Sequence, residues 1–464
     1  MSTPTNRSHA VVVGASIAGL LAARVLADHF ERVTIVERDR LPDGSAFRKG
    51  VPHSHHLHGL MPGGRLAVDA LLPGFTADMV DAGGTVVRWP EDALWLTPAG
   101  WSRRFTAAPD HRLVTIGRPM LESLVRRRVL DLDRITVVEG VEVTGLVERP
   151  GGVAGIHLRD RGDRVGATQR REDADLVVDA SGRASRAPDW LDALGYGRPE
   201  ETVIDALLGY ASRQYEPPAG WRADWKGVYL MAQPPAHTRT GIMFPIEGGR
   251  WLLSLMGAGG DYPPTDEEGF EEFARSLRSP VIGDAIRHAR PVSDITGYRR
   301  TENRRRHYER MRRWPDGLAV VGDAACAFNP VYGSGMSVAA RTAVALDEAL
   351  AGGRELRGFQ RTAAARGAAA WLLATGEDLR YPTTIGSRAT IGTRLLHRYL
   401  DRVILAATAG AATNEAFVSV MTLLRTPDIL FRPGVVLDAL RHHDRLSEPP
   451  SAVAAPLPLR AEVA

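Results

Sequence analysis

The chain is poor in the residues on which several common functions depend. Its 464 residues contain one cysteine, Cys326, which excludes an internal disulfide framework and suits a reducing, cytoplasmic setting. Lysine occurs only at Lys49 and Lys226; nearly all the basic residues are arginine, so the high isoelectric point reflects arginine usage. A formal net charge of only +3 leaves no footprint for nucleic acid. No segment approaches the roughly eighteen unbroken apolar residues of a membrane span. Met1–Ser8 is polar and short, so no secretory segment is expected, and Val403–Ala412 reads as a core helix. Repeats, a Cys or His-Glu metal spacing and a nucleophile elbow are also missing. What remains is an ordinary globular balance, 44% hydrophobic and 24% charged, long enough for more than one structural unit.

Two stretches, some three hundred residues apart, carry the chemistry. The first is His9-Ala10-Val11-Val12-Val13-Gly14-Ala15-Ser16-Ile17-Ala18-Gly19-Leu20: an apolar strand, a small-residue turn, then a helix-forming run through Ala27. A second apolar run, Val33–Val36, ends on Glu37. This is a βαβ unit. Gly14 permits the tight turn, Gly19 permits close helix–strand packing, and the helix start offers N–H groups to a pyrophosphate. Glu37 is placed to accept from a ribose hydroxyl. Ser16 stands where the usual fingerprint has its middle glycine, which hinders the backbone's approach but supplies a hydroxyl that can donate to the phosphates.

The second stretch is Leu318–Val321, a buried strand that delivers Gly322 and Asp323 at its C-terminal end, followed by the Pro330-x-x-Gly333-x-Gly335 turn and a helix from Met336 to Ala351. Asp323 suits hydrogen bonding to a polyol such as a ribityl chain. The helix start would face the N1/O2 edge of a flavin and stabilise negative charge there. A nicotinamide enzyme needs no such second element, so the pair points to FAD.

The two motifs together resemble the flavoprotein monooxygenase superfamily with the p-hydroxybenzoate hydroxylase fold. Asp175–Arg183, a strand ending in the Asp179-Ala180-Ser181-Gly182 turn, and the Arg118-x-x-Leu121 helix start fit the same pattern, and the resemblance covers about residues 8–360. It implies cofactor contacts at Gly14, Ala15, Ser16, Gly19, Glu37, Arg38, Arg48, Lys49, Arg118, Val143, Asp179, Gly182, Asp323, Gly333, Gly335 and Met336. Arg48-Lys49-Gly50-Val51-Pro52-His53-Ser54-His55-His56-Leu57-His58 is similar to a segment of bacterial flavin epoxidases of polyether and polyketide biosynthesis, with His53 where that branch commonly has glutamine. That likeness implies a loop along the flavin, with Arg48, His53, His58, Pro330 and Tyr332 as pocket candidates. The histidine run invites a zinc reading, but no further ligands converge with it, so no metal is expected. Arg304-Arg305-Arg306 reads as solvated surface and Cys326 as a small packed residue.

The expected fold class is α/β (α+β): a Rossmann-like FAD-binding domain in three pieces (1–84, 113–190, 298–356), an antiparallel substrate domain (85–112, 191–297), C-terminal helices (357–445) and a disordered tail (446–464). One substrate sheet is expected from Thr85–Phe105 with Ala206–Tyr215, Gly227–Gln233, Thr240–Pro245 and Trp251–Gly257. Helices are expected over Asp266–Ala289, Gly358–Thr375 and Ile391–Leu424. The resemblance implies an epoxidation in which reduced FAD and O₂ form a C4a-hydroperoxide that oxidises an alkene of a large apolar polyketide or terpenoid. Electrons would come from NAD(P)H or a separate flavin reductase, since no second dinucleotide fingerprint is present. Three other readings share these motifs: a non-redox cyclase of polyenes, an alkene reductase of the geranylgeranyl type, and a non-enzymatic flavin sensor.

Overall fold

The structure, a computed structural model, describes residues 7–162, 169–442, 445 and 447–449. The tail expected from residue 446 therefore lies almost wholly outside the described residues. The apolar runs of the two motifs become a five-stranded parallel sheet in the order Leu318–Val320, Leu176–Asp179, His9–Val13, Arg32–Glu37, Ile135–Glu139. Strands buried on both faces need apolar side chains on both, and alternation divides them cleanly. Ala10, Val12, Ile35 and Val178 meet the helices Ile17–His29 and Gly335–Ala351, with Leu20, Leu21 and Leu346 in the same core. Val11, Val13, Val177 and Val320 face the other way, onto Val143, Ile156 and Leu158. Those three belong to an antiparallel sheet of Val141–Arg149, Gly152–Asp160 and Arg170–Asp173, which the sequence reading did not resolve as an element.

The substrate region is one eight-stranded sheet built on Gly209–Glu216, Trp251–Gly257, Arg239–Pro245 and Gly227–Leu230, continued by Ala93–Thr97 and Gly100–Trp101. One face packs Met243, Leu253 and Leu255 against Phe270, Phe273 and Ile282 of the Glu267–Arg275 and Val281–Ile286 helices. The other face packs Ile242, Phe244 and Met256 against Val403, Ile404 and Phe417 of the C-terminal helices. Leu57, Tyr298 and Val331 border this second core, bringing it to the flavin motifs.

Several expected elements differ. Thr85–Arg88 stays out of the large sheet and pairs with Arg112–Thr115 as a separate ribbon. The helix expected over Asp266–Ala289 is two, broken before Val281 by Pro280, whose nitrogen has no hydrogen to donate. Ile391–Leu424 likewise divides at Gly410 into Ile391–Ala409 and Ala411–Met421. By contrast Leu356–Asp378 is longer than expected at both ends. No helix among the described residues is long and apolar enough to cross a membrane.

Candidate functional site

The site begins at the C-terminal end of the first strand. Gly14 has φ +101°, and a side chain there would meet the Ala180 carbonyl oxygen at 2.7 Å. Gly19 is more constrained: its added Cβ would lie 1.8 Å from the Gly14 carbonyl oxygen, so helix and turn touch backbone to backbone. Glu37 ties the turn to the second strand. Its Oε2 accepts from Ala15 N–H at 2.8 Å and its Oε1 from Asp39 N–H at 2.9 Å. Ala15 and Gly19 therefore build the cradle without lining it, whereas Gly14, Ser16, Glu37 and Arg38 do line the cavity.

The Arg48 loop and the Arg118 helix close over this cradle. Glu122 holds Arg48 Nε through Oε1 at 2.9 Å and Arg118 Nη2 through Oε2 at 2.7 Å. Arg48 also faces Asp39 at 3.4 Å and Glu37 at 3.5 Å. Burial works against the charge of Glu122, but Arg118 and Arg48 outweigh it and hold its pKa below the ordinary value. Ser16 joins the cluster, accepting from Arg118 at 3.0 Å and donating to Glu122 at 3.2 Å. Arg48 thus lines the cavity, as expected, while it is held by three carboxylates. The free polarity is on Arg118, 3% exposed, whose Nε and Nη1 are buried without a hydrogen-bond partner among the described residues.

At the other end, Gly322, Asp323, Pro330, Gly333, Gly335 and Met336 all line the cavity. Asp323 has no hydrogen-bond partner among the described residues, and burial raises its pKa while Arg183 and Arg118 oppose that. Two of the expected site residues lie elsewhere. Asp179 is wholly buried and spends its carboxylate on Ser181 N–H at 2.9 Å and on Ser185 Oγ, so it shapes the Gly182 turn from behind. Tyr332 points away from the cavity and donates to Asp378 Oδ1 at 2.7 Å.

The histidine loop runs along the same space. His53 and His58 line it together with Leu57 and Tyr298, and the His53 and His58 rings lie 5.3 Å apart. Burial, reinforced by the Arg118 charge, pushes His53 down to about 3; burial also holds His58 well below its usual value. Both are neutral at physiological pH. His58 Nδ1 lies 2.9 Å from the His56 carbonyl oxygen, which only accepts, so the ring proton is on Nδ1 and Nε2 is an acceptor. His56 turns instead to Ser212 Oγ at 2.7 Å and is pushed down to about 4 by burial.

These parts enclose a cavity of about 480 Å³, inside the roughly 300–1,000 Å³ usual for small-molecule sites. Lys49, Val143 and Gly182 also line it. FAD fits the donor set: glycine turns that no Cβ can enter, two orphaned guanidinium nitrogens on Arg118, an unpartnered Asp323 and an orphaned Ser181 hydroxyl. Sequence reasoning did not assign Arg183, Arg186, Arg300 or Phe328 to the site, although all line it; Arg183 and Phe328 lie within the motif stretches, while Arg186 and Arg300 have no motif of their own. It also misread the arginine triplet. Asn303–Arg306 is a strand in which Arg304 lines the cavity and Arg306 is buried, donating to the Ala324 carbonyl oxygen at 2.9 Å. Among the described residues, no group of three or more His, Cys, Asp or Glu is arranged to hold a metal ion.

Comparison with known proteins agrees with this geometry. A family profile described as an FAD binding domain matches residues 7–361. Protein Rv3254 of Mycobacterium tuberculosis is 37% identical over 350 residues, covering 74% of this chain and 73% of the relative. The 6-methylpretetramide 4-monooxygenase of Streptomyces rimosus is 26% identical over 362 residues, 75% of this chain and 76% of the relative. Among solved structures, the myxobacterial chondrochloren halogenase CndH superposes with a TM-score of 0.58 at 18% identity, covering 92% of each chain, a likeness of fold alone.

Proposed function

The chain belongs to the FAD-binding-domain family of flavin monooxygenases and is an FAD-dependent oxidoreductase; from that premise we propose that it inserts one atom of O₂ into a large, mostly apolar substrate, by epoxidation of a polyketide or terpenoid alkene. The observation that supports this reading most is the wall beside the Pro330–Gly335 turn. Leu57, Phe328 and Tyr298 are apolar or aromatic, and the histidines beside them, His53 and His58, are held uncharged, while the charged Arg183 and Arg300 border the wall on the Tyr298 side. Bound FAD supplies the redox and oxygen chemistry. Arg118, Ser16 and Ser181 would hold the diphosphate, Asp323 the ribityl hydroxyls, and the Gly335 helix start the electron-rich edge of the ring. The protein's task at the reacting end is to exclude water and position an apolar double bond against the flavin.

His58 favours a second reading in one respect. An unprotonated Nε2 facing the cavity suits hydrogen bonding to a phenol, and so ring hydroxylation of an aromatic polyketide. Electrons come, on this proposal, from NAD(P)H or from a separate flavin reductase. Turnover with ¹⁸O₂ and a reductant tests the reading: one labelled oxygen in an epoxide supports epoxidation, and one in a phenol supports the second reading. Product formed anaerobically on oxidised FAD, without label, would replace both with a non-redox cyclase.

A further inference from the structure

Outside the cavity lies a buried polar cluster that the flavin site does not use. Asp378, the last residue of the Leu356–Asp378 helix, is 1% exposed. Its Oδ2 accepts from Asn303 Nδ2 at 2.7 Å and its Oδ1 from Tyr332 OH at 2.7 Å. Asn329 Nδ2 bridges the two oxygens at 3.2 and 3.3 Å. Asn303 returns the contact, its Oδ1 accepting from Asn329 N–H at 2.7 Å. Asn303 and Asn329 are 0% and 1% exposed, so water does not reach these two partners.

The donors are not scattered through the fold. Asn329 and Tyr332 bracket Pro330, and Gly333 follows directly in the left-handed region at φ +62°. Pro330, Gly333 and Gly335 line the FAD cavity. A carboxylate on a C-terminal helix therefore grips the turn from outside, at both of its shoulders. We propose that Asp378, in its ionised form, is the positioning residue for the flavin-facing turn, setting the Pro330–Gly335 backbone at the angle that FAD binding requires. This rests on the reading that FAD lies against that turn.

Among the described residues no cation forms an ion pair with Asp378; the nearby Arg380 pairs with Glu377 and Asp401. The ionisable groups around it are Glu377, itself paired with Arg380 at 2.9 Å, together with Asp205 and the phenols of Tyr210, Tyr332 and Tyr381. Burial pushes the carboxyl up to about 7, against the opposing pull of the Tyr332 and Asn329 hydrogen bonds. Protonation removes acceptor capacity that three donors share, so the grip weakens as pH falls through that value.

The test is the FAD dissociation constant, from flavin fluorescence, between about pH 5.5 and about pH 8.5 in wild type, Asp378→Asn, Tyr332→Phe and Asp323→Ala. Wild-type affinity should fall by about tenfold as pH drops through about 7, the scale of one hydrogen bond to a charged group. Asp378→Asn should bind weakly and without that break. Tyr332→Phe removes a donor to the ionised form, so its break should move to higher pH. Wild-type affinity with an unchanged break in Asp378→Asn would overturn the proposal, as would a break that Tyr332→Phe does not move. If Asp323→Ala also leaves affinity unchanged, the placement of FAD fails; if Asp323→Ala alone weakens binding, only the role of Asp378 fails.

Discussion

Arg118 and Glu122 face each other across one helical turn, Nη2 2.7 Å from Oε2, and since Ser16 is met by the same nitrogen, the other two guanidinium nitrogens of Arg118 have no partner among the described residues. Buried donors without partners are costly, about 1–3 kcal/mol each, so such a group is kept where a ligand completes it. The geometry makes Glu122 the holder of both arginines and Arg118 the one with capacity left over.

Arg118→Met should therefore weaken FAD binding by about 1.5–3 kcal/mol, roughly ten- to a hundredfold. Glu122 keeps Arg48 as its partner at 2.9 Å, so the fold survives the change. Equilibrium release of FAD, read by fluorescence, measures it; wild-type retention would remove Arg118 from the phosphate site.

At the other end of the cavity, Asp323→Ala removes an acceptor that no other side chain engages among the described residues. FAD affinity should fall by a similar 1.5–3 kcal/mol or so, with little change in the stability of the FAD-free protein. An absorbance spectrum of the purified variant is the simplest check: the wild type should be yellow with noncovalent FAD and the variant largely colourless.

Gly19→Ala adds one methyl group where there is no room, 1.8 Å from a backbone oxygen. The helix must move off the strand, at a cost of about 3 kcal/mol or more. Thermal unfolding should show a large drop in Tm and FAD should be lost, while an alanine at Gly44, which has nothing within 4 Å of an added Cβ, is limited only by its φ of +79°.

Acid sensitivity follows from the buried histidines. His53 titrates near 6.5 when unfolded but only at about 3 when folded, because burial and Arg118 disfavour its charge. The unfolded state then binds the extra proton, so stability is fully present above about 6.5 and is lost as pH falls toward 3, at about 1.4 kcal/mol per pH unit. His53→Gln should flatten the dependence of ΔG of unfolding on pH in that window by one proton. A slope identical to wild type in urea titrations at about pH 6 and about pH 4.5 would show that the cavity wall does not hold His53 neutral.

The parallel sheet was legible because its signals are local. Apolar runs at His9–Val13 and Leu318–Val321, each ending on glycine, can only be strands delivering a turn, and the structure keeps both. Gly14 and Gly19 announced a close approach, and the 1.8 Å figure is the reason no other residue serves. Thr85–Arg88 was misassigned because alternation shows that a strand has two faces and leaves its partner open. Tyr332 was misassigned for a related reason. A tyrosine beside a cavity-lining glycine, Gly333, has two directions to point, and the choice was made by Asp378, forty-six residues away.

The sequence by itself determined the cofactor class, since the spacing of small residues at strand ends depends only on backbone geometry close to the chain. Tertiary structure decided which charges are free. Arg48, Arg118, Glu37, Asp179 and Asp323 all carry a formal charge in the sequence. Only packing shows that Arg48 and Glu37 engage protein partners while still lining the cavity, that Asp179 lies behind it, and that Arg118 and Asp323 keep donors and acceptors without a partner among the described residues. The physical reason is that a hydrogen bond is fixed within a few tenths of an ångström and by angle, and those distances are set by segments that meet only in the folded chain.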